Sequence, residues 1–458
     1  MSIKKVRWLL TVLILIMSLV ACSGNNSGIT NSANKEAPKE TPKETPKETE
    51  DKKVENIEFR IGWWGSTARH DLINSIVDLY EEENPHVKII REFAAFNDYW
   101  DRLSTQAAGG NTPDIIQIHS LLYTMEYVDK GVLLPLNEYV DKGIINFDGW
   151  TKAVKDVGYI GDTLYHVSTG VTTPAFIMNK SMIERVGMEI PPYMITYDEF
   201  KSYALELQSK LPKGSYVINA IGGQLDTGIE TYVRNHGQSI FSDDGKSLGF
   251  DKQILIEWFQ FWKDLQDAGA IPPVETISEY VGMPWETSML VKNVTASTIT
   301  NANQAKIFQL YTEDEVVLQR MPVVADAPFV SGENLASSSF GISKDSDPAI
   351  REELAKFINW FSNDDKAVEI FNAELGVIGP AELGEQIKPN LAPADVMAFE
   401  HMGKISGDIP APLPWKAGSS RIRTEMEKAN EQIMYGQMTV VEAADHFFKE
   451  VNNFLATQ

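Results

Sequence analysis

One cysteine in 458 residues leaves no partner for an intramolecular disulfide. No apolar run reaches the roughly 20 residues that a bilayer-spanning helix needs; the longest candidate, residues 8–20, stops well short. Positive charge is scarce: 41 Lys and Arg face 64 Asp and Glu, for a net charge of -23 and a pI near 4.8. Such a surface repels phosphate backbones and anionic membranes, which excludes a nucleic-acid binder. It does not call for a cationic ligand, because a solvated acidic surface mainly confers solubility. No HExxH motif, paired histidines or cysteine cluster offers a transition-metal site, and no cofactor motif is present. A phosphate-binding loop fails at its first glycine, where Ile240 stands before Gly245-Lys246-Ser247. Residues 245–249 spell G-x-S-x-G, but Ser242-Asp243-Asp244 precedes them where a nucleophile elbow needs a buried strand. They read as a hairpin turn.

What is present is an ordinary globular composition, 43% hydrophobic and 23% charged, on a chain too long for one core. The first fifty residues differ from the rest. Lys4, Lys5 and Arg7 precede the apolar run, which ends in Leu19-Val20-Ala21-Cys22. This order reads as a signal peptide over residues 1–21 and a lipidation site at the lone Cys22. Several acyl chains there, at about 0.8 kcal/mol per buried methylene, suffice for stable membrane anchoring. Residues 22–53 carry almost no large apolar side chain and repeat PKET from Pro38, Pro42 and Pro46. They read as an extended tether with a reach on the order of 100 Å at about 3.1 Å per residue.

From residue 57 short apolar strands alternate with amphipathic helices. Strands are predicted at 57–63, 87–93 and 115–118, with helices at 69–84, 99–108 and 122–129. This order implies an α/β fold, a sheet with parallel strands and helices on both faces. Ligands of such sheets lie at the carboxyl ends of strands, so Trp63 to Ser66 and Ile118 to Ser120 should line a cleft. Further helices are predicted at 251–267 and 348–363, and Thr439 with Glu442 reads as a capping box opening a last one.

Several stretches resemble the carbohydrate-binding proteins of ABC importers, the solute-binding family 1. They are YEEENPHVK (80–88), AAGGNTPDI (107–115), GVLLPL (131–136), GDTLY (161–165) with IMNK (177–180), PP (191–192) with TYDEF (196–200), and the segment 332–343 followed by AKFI (355–358). Two departures stand out. Val167-Ser168-Thr169 replaces a common Gly-Ile-Pro, and residues 296–301 lack the usual G-x-W, so a stacking ring must come from elsewhere. The resemblance implies a two-lobed periplasmic-binding-protein-like fold (type II), with a ligand cleft between lobes. It divides the chain into a first lobe, 54–169 plus 320–363, and a second, 170–319 plus 364–458. Crossings fall near 168–172, 320–325 and Asn363.

A sugar presents apolar C–H faces and many hydroxyls, so its site needs rings and polar side chains. Trp64 is assigned to the cleft and Trp63 to the core by strand alternation. Gly65 and Ser66 should offer backbone N–H donors. Phe96 and Tyr99 follow the second strand and either face the ligand or pack. His119 either makes a structural hydrogen bond or contacts a hydroxyl. Trp285 and Glu286 lie in a loop near Gly282, an odd place for a core tryptophan. Asn301 offers an amide, and Glu333 and Arg421 are rim candidates. Trp415 follows Pro410 to Pro414 at a position where the family often stacks on sugar. The expected function is capture of a carbohydrate, an oligosaccharide by the supply of rings, and its delivery to an ABC permease. The expected state is a monomer, extracytoplasmic and held to the cell membrane by lipid, with the long tether suiting a Gram-positive wall. A tethered glycoside hydrolase, or a sugar-sensing or adhesion lipoprotein, are the alternatives.

Overall fold

The computed structural model describes residues 56–280, 283–327, 332–405, 415–416 and 418–457. The expectations for the signal peptide, Cys22, the PKET tether, Gly282 and residues 410–414 lie outside the described residues. The strands are β1 (Ile57–Trp64), β2 (Val87–Ala94), β3 (Ile115–His119), β4 (Tyr159–Ile160), β5 (Thr163–Leu164), β6 (His166–Thr172), β7 (Pro174–Asn179), β8 (Tyr216–Ile218), β9 (Thr295–Asn301), β10 (Val316–Gln319) and β11 (Ala336–Ile342).

The first sheet has the order β2-β1-β3-β11-β6. β1 pairs in parallel with β2 from Ile57 opposite Val87 to Trp64 opposite Ala94, and with β3 on its other side. Alternation along β1 sends Phe59, Ile61 and Trp63 into one core, where they meet Phe357 and Ile358. β11 runs antiparallel between β3 and β6. That departs from an all-parallel sheet because β11 arrives from a different sheet, not through a covering helix.

Ser66 caps the helix Thr67–Glu83 by accepting the Arg69 N–H through its side chain. Ile73, Ile76, Val77 and Tyr80 form the buried stripe of that helix. Tyr80 donates its hydroxyl to Glu353 at 2.7 Å, which ties this helix to Arg351–Asn363. The helix predicted at 99–108 begins earlier, at Phe96. Gly376 sits at φ 106°, where a side chain would strain the backbone, and a Cβ there would strike the Val171 carbonyl. Ala367, Phe371 and Leu375 join the first core although they lie beyond Asn363.

The second sheet has the order β10-β7-β9-β8. β7 is antiparallel to β10 and β9, and β8 is parallel to β9. Its larger core takes Trp258, Phe259 and Trp262 from the helix Lys252–Asp267, with Ile422, Met426, Phe447 and Val451 from Ser419–Met434 and Val440–Leu455. The capping box at Thr439 and Glu442 forms as the spacing predicts. The G-x-S-x-G segment is a turn: Ser242 Oγ accepts from the Ser247 N–H, and Gly245 takes φ 70°. The chain passes from the first sheet to the second at Thr173, between β6 and β7, and returns between β10 and β11. A buried Arg320–Glu333 pair, 3.0 Å apart, joins the two ends of that return. The fold is therefore the two-lobed α/β architecture, with one lobe on each sheet.

Candidate functional site

Where the lobes face each other, a cleft of about 390 Å³ lies against the carboxyl ends of β1 and β3. The first lobe contributes Trp64, Gly65, Ser66, Arg69, Phe96 and His119. The second contributes Asp226, Trp285, Asn301 and Arg423. Thr172, beside the crossing, and Ser337 and Ser338 at the start of β11 form the floor.

Each side chain reaches the cleft for a local reason. Trp64 is the last residue of β1 and is almost entirely buried, packed by Tyr99 and Trp100, so it offers the cleft only an edge. Trp63 is fully buried in the first core and donates its indole N–H to His70 at 3.1 Å. Gly65 lines the cleft, but its N–H is already given to the Ala94 carbonyl at 3.0 Å. The expected donor at that position is therefore spent within the fold. Phe96 meets Trp64 edge-on at the cleft wall. Among the rings that line the cleft Trp285 is the most exposed, at 44%, and it is steadied by an edge contact with Phe308. Such a ring suits the C–H face of a sugar.

His119 ends β3 with its ring stacked near Trp64, 6.4 Å between centroids. Its Nδ1 accepts the Leu122 N–H at 3.4 Å, so the neutral ring carries its proton on Nε2. Burial pulls its pKa down to about 4, with Arg423 adding to the effect and Asp226 opposing it. His119 is thus a neutral hydrogen-bonding group at pH 7. Arg69 is paired with Glu374 at 3.3 Å, and burial lowers its pKa against that partner's pull. Arg423 has its Nε buried with no hydrogen-bond partner among the described residues. Asp226 and Arg423 bring an acidic and a basic group to the cleft from the second lobe.

Five sequence-derived candidates lie elsewhere. Tyr99 is buried behind the wall and donates its hydroxyl to the Gln117 carbonyl at 2.8 Å. Glu333 is fully buried in its pair with Arg320, not at a rim. Arg421 pairs with Glu425 at 2.9 Å on the outer side of its helix. Glu286 is half-buried and not part of the cleft lining. Trp415 is buried in the second core, where its indole N–H meets Glu230 at 3.2 Å; it lines a neighbouring cavity of about 380 Å³ instead. Its position is set by a backbone bond from its N–H to the Leu121 carbonyl. Asp226, Arg423 and the β11 serines were not singled out from sequence, since no motif surrounds them.

Residues 65–368, more than half of the chain, match the family model described as bacterial extracellular solute-binding protein. Among solved structures, a periplasmic solute-binding protein from Pectobacterium atrosepticum is 19% identical, with a TM-score of 0.75 over 87% of this chain and 99% of its own. A periplasmic oligogalacturonide-binding protein from Yersinia enterocolitica, bound to saturated digalacturonic acid, is 20% identical with a TM-score of 0.74 over 87% and 99%. An ABC substrate-binding protein from Listeria monocytogenes, in complex with cycloalternan, is 20% identical with a TM-score of 0.73 over 87% and 98%. At that identity the likeness carries the fold. The family match carries more: this chain is a member of the bacterial extracellular solute-binding proteins.

Proposed function

We propose that this protein captures an oligosaccharide outside the cell membrane and hands it to an ABC-importer permease, without chemically altering it. The observation that carries this reading is the cleft itself. A half-exposed tryptophan, Trp285, stands among polar groups drawn from both lobes, including His119, Asp226, Asn301 and Arg423. A ring for the C–H face with hydroxyl-binding groups around it is what a saccharide requires. Groups from both lobes also let a ligand favour the closed state, the only way binding can drive closure. Structural relatives that bind cycloalternan and digalacturonic acid support the same substrate class. We further assign the protein, from its first 22 residues, to the outer face of the membrane, anchored through lipid on Cys22, and propose that it acts as a monomer.

Thermal-shift screening against oligosaccharides, followed by calorimetry, tests the reading. A sugar at 100 times its Kd should stabilise the native state by about 2.7 kcal/mol and be recovered intact. Cleavage of the sugar would replace this reading with a hydrolase. For the anchor, Cys22→Ser should move the protein from the membrane fraction to the medium; retention in the membrane would refute it.

A further inference from the structure

Behind Trp285 lies a second cavity of about 370 Å³, within the range that holds small ligands. Its walls come from the second lobe alone. Trp285 belongs to both spaces, and Gln224 of this cavity is two residues from Asp226 of the cleft. The two cavities therefore flank one indole ring and one turn.

Three features suit this space to a sugar unit. First, Ser288 and Thr298 add polar side chains to a wall otherwise formed largely of rings and aliphatic groups. Second, Gln224 accepts from Thr227 at its carbonyl, 2.6 Å, and its amide N–H groups meet no partner among the described residues. Third, the outer wall is the helix Val274–Tyr280, none of whose residues is buried. Ile277 and Tyr280 line the cavity from that helix. A surface helix normally buries an apolar stripe; here part of that stripe borders open space.

We propose that this cavity is a second saccharide subsite, so that the ligand is a chain whose units lie on both sides of Trp285. One end is gripped by both lobes, and the other is held by the second lobe through Gln224 and Tyr280. The inference rests on the carbohydrate reading above. Its consequence is selection by chain length: a monosaccharide or disaccharide fills the cleft only, and a longer chain also fills the space behind the indole.

Calorimetry on the full chain tests this with three ladders of two to six units: maltooligosaccharides, xylooligosaccharides and oligogalacturonides. For the ladder that binds, affinity should rise at least tenfold between two and four units. Ala220 is a small residue of the cavity wall, and Ala220→Trp, which fills the space, should abolish that rise and leave the disaccharide's Kd within about twofold. Tyr280→Ala, at a partly exposed position, should cut the rise severalfold and serves if the tryptophan variant fails to fold. A flat ladder, or a rise that survives both variants, overturns the subsite while the cleft reading stands. No binding by any member of the three ladders overturns both.

Discussion

Glu230 is a carboxylate that the fold holds away from water. Trp415 and Asn334 donate to it at 3.2 and 2.7 Å, yet burial outweighs them and Arg234, and its pKa rises to about 7. An unfolded glutamate titrates near 4.5, so between these values the native state holds a proton that the unfolded state has lost. The stability this contributes is fully present below about pH 4.5 and is lost as pH rises through 7, a change on the order of 3 kcal/mol. The buried histidines have the opposite sign. Burial pulls His119 and His401 down to about 4 and His166 to about 3, so their contribution is present above 6.5 and lost as pH falls through those values. Glu230→Gln should therefore flatten the loss of stability between pH 5 and 8 and leave the acid limb unchanged. Urea unfolding at four pH values in that window measures it; parallel curves for the two proteins would show that Glu230 is ionised throughout.

At the scale of the element, the helix Ser419–Met434 shows what a sequence discloses and what it withholds. Its core stripe of Ile422, Met426, Ala429 and Ile433 has helical spacing, and the structure buries all four. The two arginines that flank Ile422 are not distinguishable by pattern. Arg421 was the candidate, but it turns outward to Glu425, and Arg423 reaches the cleft. The difference depends on where the other lobe stands, which no local periodicity encodes. Trp415 depends on the same arrangement: its ring packs in a core that includes Leu121 of one lobe and Ile422 of the other. By contrast β1, the helix Thr67–Glu83 and the capping box at Thr439 follow from local residues alone and were read correctly to within a few positions. Arg423→Ala should weaken sugar binding about tenfold or more, the worth of a hydrogen bond from a charged donor. Arg421→Ala should stay within about twofold, because Arg421 is outside the cleft lining and its own side chain is exposed. Calorimetry on both variants decides it, and equal losses would remove Arg423 from the site.

At the scale of the molecule, the two lobes are joined by more than their chain crossings. Leu121, just past β3 of the first sheet, is buried in the core of the second lobe, and its carbonyl accepts the Trp415 N–H at 3.0 Å. Ser419 donates to the Leu122 carbonyl at 3.2 Å beside it. These contacts lie close to the chain's return path: the Ser120 N–H bonds to Ser337, at the start of β11. Points near the axis of a hinge move least when lobes part, so the Leu121 contact belongs to the pivot and should persist in open and closed states. A contact present in both states stabilises the fold without biasing closure, because only a difference between states shifts their populations. Leu121→Ala should then cost about 2–5 kcal/mol of stability, as truncation of a buried leucine does. At temperatures where the variant is folded, its Kd for sugar should match the parent's within about twofold. Urea unfolding and calorimetry on the same preparation separate the two effects. A raised Kd with unchanged stability of the sugar-free protein would instead make Leu121 a latch formed on closure, and would move the hinge axis away from the junction of β3 and β11.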